Sequence, residues 1–403
     1  MKRIIFHIDV NNAFLSWTAV ELLEQGYTYD IRNSYAVIGG DEEARKGIVL
    51  AKSMPAKKMG IKTADTLFSA RNRCPALRVY KPNYKMYQER SNALFSYLQT
   101  FTPDIEIASI DECYLDYTSV KKLYGNAVSF AYKLKDDIYR KFGFTVNIGV
   151  ANNKLCAKMA SDFEKPNKVH TLWNEEVRDK MYPLPIRKLF GIGKKTCEKL
   201  EKLNIHTIAD LACVDATYLS KYFKNQAIHM IHSAQGVDES PVVSEIVDPT
   251  SISNEITLSK DVTNRNVLYS YLDALSSQVA LRLRKQGKYA HVVVVVLKDF
   301  QFRRKQHQKK IMNATNITKE IFEISKKILD EMYDETPVRL IGLRLDGLVD
   351  VVNYQPSLFE NIDDRIQDET VDILLDTLQD KYGINVIQKG NKIPLKDTLK
   401  KHK

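Results

Sequence analysis

Three acidic residues stand where their carboxylates could bind a metal ion together. Asp9 follows the apolar stretch of residues 3–8, and Asp111 and Glu112 lie at the junction of two short apolar stretches. If these stretches are neighbouring strands, the carboxylates meet, repel one another and require a cation. Mg²⁺ prefers such oxygen ligands, and a pair of these ions supports phosphoryl transfer without a protein general base. The alternative is that each acid is a solvated turn residue, although a charge that ends an apolar strand is poorly placed for that.

Two basic segments could bind a phosphate backbone. Gly191 and Gly193 precede Lys194 and Lys195 in the pattern of a helix-hairpin-helix, whose backbone N–H groups and helix N-terminus face a phosphate regardless of base sequence. The second segment, residues 302–310, has five Lys or Arg in nine residues. Its first three basic residues are Arg303, Arg304 and Lys305. The alternative for this segment is a solvated edge strand whose charges resist aggregation.

The three acids need a sheet to position them, and the hydrophobic pattern predicts one. Strands are expected at about 3–8, 34–40, 47–51, 104–110, 113–117 and 145–150. Helices are expected at about 10–25, 54–60, 83–101 and 125–141. This order predicts a split β-α-β sheet with helices on one face, and a hairpin with carboxylates at its tip.

The second half of the chain has a different organisation. Residues 184–240 are predicted to form short Lys-rich helices, and residues 241–251 indicate a linker. A β-α-β-β-α-β unit then follows. Its elements are expected at about 252–261, 264–286, 290–298, 301–311, 316–333 and 337–347. From residue 351 the sequence predicts a polar, flexible tail.

The composition is that of a globular protein with a polyanionic partner. Its 403 residues have a net charge of +10, with 60 Lys and Arg against 50 Asp and Glu. The five cysteines are widely spaced and contain no C-x-x-C pair, which disfavours a disulfide framework or a zinc site. No apolar run approaches the ~20 residues that span a bilayer, and no signal-peptide pattern opens the sequence. We expect a cytoplasmic protein without a membrane partner.

Two stretches resemble the catalytic motifs of Y-family, or lesion-bypass, DNA polymerases. They are Ile5-Phe-His-Ile-Asp-Val-Asn-Asn-Ala-Phe14 and Ala108-Ser-Ile-Asp-Glu-Cys-Tyr-Leu-Asp116, with a highly specific Ser-Ile-Asp-Glu core. The resemblance implies that Asp9, Asp111 and Glu112 hold two Mg²⁺ ions, for which Mn²⁺ is able to substitute. It also implies that the backbone carbonyl of Val10 is a ligand. Asn11 stands where many relatives carry an acid outside the metal triad.

The same resemblance implies three contacts to the nucleotide. Phe14 would stack beneath the incoming sugar and exclude a 2′-hydroxyl, and Lys165 of a Lys-Pro-Asn sequence would bind the β- and γ-phosphates. Met54 and Lys57 stand where relatives of the polymerase IV type carry Tyr and Arg. Lys57 keeps the positive charge of that Arg, but as a point charge rather than a guanidinium that binds a phosphate in bidentate fashion. This exchange is closer to the UV-mutagenesis branch of the family.

A short peptide after the last predicted strand resembles the one by which bacterial polymerases dock on the β sliding clamp. Its members are Gln355, Leu358 and Phe359. A glutamine with two apolar anchors on a flexible segment suits a preformed pocket on a partner.

Together these features predict an α+β multidomain protein with the architecture of a right-hand polymerase. The palm is expected at 1–12 and 77–171, the fingers at 13–76, a helical thumb with the helix-hairpin-helix at 172–240, the β-α-β-β-α-β little finger at 246–350 and a tail at 351–403. The resemblance to Y-family polymerases implies low-fidelity translesion synthesis in DNA repair and the SOS response to UV damage. The expected partners of a monomeric enzyme are primer-template DNA, dNTP and the β sliding clamp.

Two rival functions remain open at this point. One is a catalytically silent protein that keeps the fold and binds DNA and the clamp. The other is a different metal-dependent phosphotransferase, since Gly39-Gly-Asp-Glu-Glu43 resembles the hairpin of diguanylate cyclases. A cyclase would need no primer-template and would leave the helix-hairpin-helix unexplained.

Overall fold

The computed structural model describes residues 2–42, 47–245, 248–352, 354–355 and 362–383. The chain divides into two compact units, residues 1–40 with 48–246 and residues 41–47 with 247–403. Among the helices of the described residues, none combines the length and apolarity needed to cross a membrane.

The first unit combines two sheets with helices. Its strands are β1 (Ile5–Val10), β2 (Ala36–Gly39), β3 (Val49–Lys52), β4 (Arg78–Tyr80), β5 (Ile105–Ile107), β6 (Glu112–Asp116), β7 (Val146–Ala151) and β8 (Val169–Leu172). Its α-helices are α1 (Ala13–Glu24), α2 (Met54–Lys58), α3 (Leu67–Arg73), α4 (Tyr84–Gln99), α5 (Lys121–Tyr124), α6 (Ala127–Phe142), α7 (Lys154–Ser161), α8 (Lys194–Glu201), α9 (Ile208–Cys213), α10 (Ala216–Phe223) and α11 (Gln226–Ala234).

The larger sheet of this unit has the order β5-β6-β1-β7-β8. Strand β1 lies at its centre and pairs antiparallel with both β6 and β7. The apolar side chains of α4 and α6 that predicted amphipathic helices, among them Leu94 and Ile138, pack in one core with Phe6 and Ile148 of the sheet. The split β-α-β sheet with its carboxylate-bearing hairpin is therefore confirmed.

The smaller sheet, with the order β3-β2-β4, includes a strand that the sequence did not predict. β4 pairs in parallel with β2, from Ala36 opposite Arg78 to Ile38 opposite Tyr80. β4 thus joins this sheet from beyond residue 76, where the sequence placed the boundary of the segment 13–76. A strand of three residues that pairs with a partner 42 residues earlier has too few residues to show a period of its own.

The helices that follow β8 form a small bundle, as the sequence predicted for residues 184–240. The buried side chains of α8 to α11 include Leu200, Ile208, Leu219 and Ala227, and they join a core that also contains Leu155 of α7. This shared core attaches the bundle to the sheet through α7.

The second unit is built on one four-stranded sheet. Its elements are β9 (Ser251–Val262), α12 (Arg265–Lys285), β10 (Tyr289–Asp299), β11 (Arg304–Thr315), α13 (Thr318–Met332), β12 (Val338–Val349) and α14 (Ile362–Tyr382). The strand order is β11-β10-β12-β9, and each neighbouring pair is antiparallel. α12 and α13 share one apolar core with the sheet, so the β-α-β-β-α-β prediction is confirmed.

The prediction of a polar tail after residue 350 is wrong for residues 362–382, which form helix α14. Arg284 of α12 donates to Asp372 at 3.0 Å and to Asp376 at 2.6 Å, and Asp372 accepts from the backbone N–H of Thr318 at 2.7 Å. α14 thus packs through an acidic face rather than an apolar one. A search for apolar stripes misses such a helix, because its docking depends on cations contributed by other elements.

Candidate functional site

The backbone of β1 and β6 brings the three predicted acids to one edge of the larger sheet. Asp9 lies directly opposite Glu112 in the antiparallel ladder. One residue further, the N–H of Val10 donates to the carbonyl of Asp111 at 2.9 Å. The expectation that neighbouring strands place these residues together is confirmed at the level of the backbone.

Positively charged lysine side chains lie beside the negatively charged carboxylates at this edge. Lys158 contacts Glu112 Oε2 at 2.5 Å, and Lys165 contacts Asp9 Oδ1 at 2.9 Å. The Ser109 hydroxyl donates to Asp111 Oδ1 at 2.7 Å. Within the described part of the chain, no three His, Cys, Asp or Glu side chains are gathered closely enough to hold one metal ion. In this arrangement, lysine ammonium groups supply the counter-charge for two of the acids.

The pKa values show how differently the two paired acids are surrounded. Burial raises the pKa of Asp9, although the Lys165 and Lys158 ammonium groups work against the rise. The His7 imidazole and then the Lys158 ammonium lower the pKa of Glu112 to about 2, against the effect of burial. A buried, desolvated carboxylate beside a second, fully ionised one is stabilised by added positive charge. The carboxylate and carbonyl oxygens of this donor set therefore fit a hard divalent cation.

Phe14 is held as one layer of an aromatic stack. Its ring lies parallel to that of Tyr87, with centroids 4.5 Å apart and an interplanar angle of 7°, and Tyr84 meets it edge-on at 6.0 Å. Tyr87 is fully buried, whereas Phe14 is only half-buried. The stack fixes the orientation of the Phe14 ring and leaves part of its surface open at the start of α1.

Lys52 of β3 and Lys57 of α2 lie close enough to repel each other. Burial and then the charge of Lys57 lower the pKa of Lys52, and Lys52 Nζ donates to the Thr63 hydroxyl at 2.9 Å. Met54 is about half exposed on the same short helix as Lys57. Neighbouring cations of this kind favour a polyanionic ligand. Nucleotide binding by Lys57 stays a prediction.

Asn11 has a positioning role that the sequence did not show. Its side-chain N–H donates to Asn147 Oδ1 at 3.0 Å, and its Oδ1 accepts from the N–H of Asn167 at 2.8 Å. Asn147 in turn donates to the carbonyls of Ser161 and Glu164. These buried amides fix both ends of the loop that carries Lys165.

We expect Asn11→Asp to weaken this loop. The carboxylate would face Asn147 Oδ1 without a donor, and an unsatisfied buried pair of this kind costs about 1–3 kcal/mol of stability. One check is the thermal midpoint, which should fall. The other is the KM for the nucleotide that the sequence resemblance implies, which should rise as Lys165 loses its support. Asn126→Asp is the matched control, because the Asn126 side chain accepts from Ser129 and a carboxylate does the same. Equal losses in both variants would contradict the role of Asn11.

The helix-hairpin-helix has the expected turn. Gly191 has φ +88°, in the left-handed region that glycine tolerates. Helix α8 begins at Lys194, directly after Gly193. An added Cβ at Gly191 or Gly193 would meet no heavy atom within 4 Å, so the backbone of this turn is open to approach. Lys194 has a 90% exposed side chain.

The predicted basic segment begins at Arg303 and continues as the edge strand β11, and its first basic residues are ion-paired. Arg303 contacts Asp299 at 2.7 Å and Arg304 contacts Glu255 at 2.5 Å. Lys305 pairs with Asp334. The position of this segment is compatible with both functions considered for it. As an edge strand with paired charges it resists aggregation. As a DNA-binding strand its lysines and arginines would exchange these carboxylates for phosphates.

Of the predicted clamp peptide, only Gln355 belongs to the described residues; Leu358 and Phe359 lie outside them. Gln355 is exposed, and its backbone N–H and carbonyl both bond to the side chain of Asn313 on β11, at 3.1 and 2.8 Å. The start of the peptide is thus attached to the sheet of the second unit.

Sequence reasoning missed Lys158, which contacts the candidate site most closely, along with His7, Lys52 and Asn147. A signal for Lys158 was present, because it lies between Cys156-Ala157 and Met159-Ala160 in a helix that is apolar on nearly every side. A lysine there is forced into the interior and needs a carboxylate partner. The partner itself could not be read from the sequence.

Comparison with known proteins gives a consistent result along the chain. Residues 8–162 match the impB/mucB/samB family, residues 249–358 match the C-terminal domain of that family, and residues 174–205 match the IMS family HHH motif. DNA polymerase IV of Clostridium acetobutylicum is 43% identical over 391 residues, which are 97% of this chain and 98% of that protein. DNA polymerase IV 1 of Bacillus subtilis is 31% identical over 391 residues, covering 96% and 93% of the two chains.

Solved structures agree with these matches. A Y-family DNA polymerase chimera of Dbh and Dpo4 superimposes with a TM-score of 0.74 at 25% identity, covering 86% of this chain and 99% of the chimera. DinB from Sulfolobus solfataricus gives a TM-score of 0.56 at 25% identity, covering 85% and 98%.

Proposed function

This chain belongs to the impB/mucB/samB family and is a Y-family DNA polymerase of the translesion type, and we propose that Asp9, Asp111 and Glu112 are its catalytic metal ligands. The observation that carries the proposal is the pairing of Asp9 with Glu112 across β1 and β6, with Asp111 at the adjoining tip. The Val10 carbonyl, on the same strand, is a further ligand.

A polymerase of this family depends on divalent metal ions. We propose two Mg²⁺ ions here, replaceable by Mn²⁺, because all the donors are oxygens. When bound, such ions would supply the positive charge that favours ionisation of the primer 3′-hydroxyl and offsets charge on the leaving pyrophosphate. Asp9, Asp111 and Glu112 would hold these ions.

The nucleotide is bound by residues on both sides of this edge. Phe14, fixed by Tyr87, provides the floor beneath the sugar. Lys165 and Lys57, with Lys52 beside it, supply positive charge for the triphosphate. Lys165 contacts Asp9 in the structure described here, so it must release that carboxylate to reach a phosphate.

We propose that DNA is held without regard to sequence by the predicted thumb and little finger. Gly191, Gly193, Lys194 and Lys195 offer open backbone and charge for one phosphate. The little-finger contribution comes from Arg303 and, on the strand β11 that follows it, from Arg304 and Lys305. The proposed enzyme is a cytoplasmic monomer, because one chain carries all the residues named for these functions.

Primer extension on a labelled primer-template tests the proposed chemistry. With dNTPs we expect template-directed extension in Mg²⁺ or Mn²⁺ and none in excess EDTA, and extension past a lesion that stops a replicative polymerase. Intact DNA binding without any extension, even after addition of the β sliding clamp, would favour the catalytically silent protein instead.

The clamp-binding proposal makes its own prediction. Replacing Gln355, Leu358 and Phe359 together with alanine should weaken binding to a purified bacterial β sliding clamp by at least ~30-fold, because such anchors carry most of the binding energy of short peptides. Surface plasmon resonance measures the affinity. Basal primer extension without the clamp should not change. Ile366→Ala, at a 55% exposed apolar residue of α14, is the control, and a comparable loss in that variant would count against the peptide.

A further inference from the structure

Lys158 places a buried ammonium group between two of the proposed metal ligands. Its side chain is 11% exposed, and its Nζ lies 2.5 Å from Glu112 Oε2 and 3.8 Å from Asp9 Oδ2. The sheet edge therefore holds a fixed positive charge at the point where the two carboxylates face each other. None of the nucleotide contacts proposed above involves this residue.

The fold leaves Lys158 no easy route to solvent. Helix α7 lies directly on β7, because Gly149 has no side chain: a Cβ there would be 1.9 Å from the Ala157 carbonyl oxygen. The residues on either side of Lys158, Ala157 and Met159, are buried. An ammonium group in such surroundings is tolerated only with paired carboxylates, so its position depends on Asp9 and Glu112 as much as theirs depends on it.

The ion pairs continue as a ladder of alternating lysine and aspartate side chains. Asp162, one turn further along the chain, is 3.8 Å from Lys158, and its other oxygen is 2.8 Å from Lys165. Lys165 closes the ladder at Asp9. Asp162 is about half exposed, so it can keep either lysine when Asp9 and Glu112 take another cation.

We propose that Lys158 is a positioning residue that acts as an internal counter-ion of Asp9 and Glu112 when divalent ions are absent, and that its ammonium group must move toward Asp162 before the ions bind. This rests on the proposed metal role of the three acids. Lys158 stabilises the metal-free sheet edge, which otherwise gathers uncompensated carboxylates. In return it raises the metal concentration that the enzyme needs, because ion and ammonium compete for the same oxygens.

The test measures Mn²⁺ binding to the full-length protein by calorimetry, without DNA or nucleotide. Lys158→Met should bind Mn²⁺ about tenfold more tightly than wild type, since one competing charge is removed. The same variant should melt at a lower temperature in EDTA and gain more from Mn²⁺. Lys158→Arg, which keeps the charge, should behave more like wild type in both measurements. If Lys158→Met does not fold, Lys158→Gln removes the charge while keeping a polar group, and the same tightening is expected.

Lys154→Met is the matched control. Lys154 lies one turn earlier on α7, is 15% exposed and pairs with Glu106 at 2.6 Å, away from the three acids. Its loss should lower the melting temperature without changing the affinity for Mn²⁺. Equal affinity and equal metal-induced stabilisation in Lys158→Met and wild type would overturn the inference.

Asp111→Asn, measured alongside, separates this inference from the function on which it rests. Loss of Mn²⁺ binding in Asp111→Asn, with primer extension by the wild type, upholds the metal site whatever the Lys158 result. Unchanged Mn²⁺ binding in Asp111→Asn would overturn the metal site and the inference together.

Discussion

Asp111→Ala should lower the rate of primer extension by about 10³-fold or more while leaving the protein folded and bound to DNA. The carboxylate is a proposed ligand of the ions that stabilise charge in the transition state, and such stabilisation is worth several kcal/mol. Asp111 lies at the hairpin tip and is only partly buried, so its removal leaves no large cavity. Its main packing contribution, the carbonyl bonded to Val10, belongs to the backbone and survives the change.

Single-turnover extension in saturating dNTP and Mg²⁺ measures the effect on chemistry, and a DNA-binding titration verifies that the variant is intact. Asp116→Asn is the control at the opposite end of β6, where the side chain accepts from the N–H of Thr118 and an amide oxygen can do the same. We expect that control to stay near the wild-type rate. An Asp111→Ala enzyme within tenfold of wild type would show that the hairpin acid is not a metal ligand.

Phe14→Ala should produce the second largest change, a gain in ribonucleotide use relative to deoxyribonucleotide use of about 10²-fold. The aromatic ring is held flat by Tyr87, so in the wild type it cannot move aside for a 2′-hydroxyl. It also offers that hydroxyl no hydrogen-bond partner. Alanine removes the obstacle while the rest of the site stays in place.

The measurement is the ratio of kcat/KM for a matched rNTP and dNTP pair. Phe14→Tyr keeps the ring and is expected to keep the discrimination, which makes it the control for changes in packing. Tyr87→Leu should relax the selection in part, because it removes the parallel partner of Phe14 without touching the sugar. If Phe14→Ala loses dNTP activity without gaining rNTP activity, Phe14 supports the core and does not select the sugar.

The sequence by itself determined most strands of the sheets and the identity of the acids at the edge of the larger one. The alternation and runs of apolar residues at 3–8, 113–117 and 145–150 carry the strand signal locally, and the Ser-Ile-Asp-Glu core limits what chemistry can follow. The same holds for the second unit, whose six predicted elements all have counterparts in the structure. Local periodicity suffices where an element buries one continuous apolar face, as α12 and α13 do. β11 is mostly exposed, and its run of basic residues marked it instead.

Only the tertiary structure decided which charged and polar groups meet. Lys158 and Glu112 are 46 residues apart, and Lys165 and Asp9 are 156 apart, so no local pattern relates them. Asn11 and Asn147 form a buried pair across 136 residues, and α14 is held by Arg284 from 88 residues away. Hydrogen bonds and ion pairs are directional and pairwise, unlike burial, so each requires both partners to be placed in space before either residue shows its role.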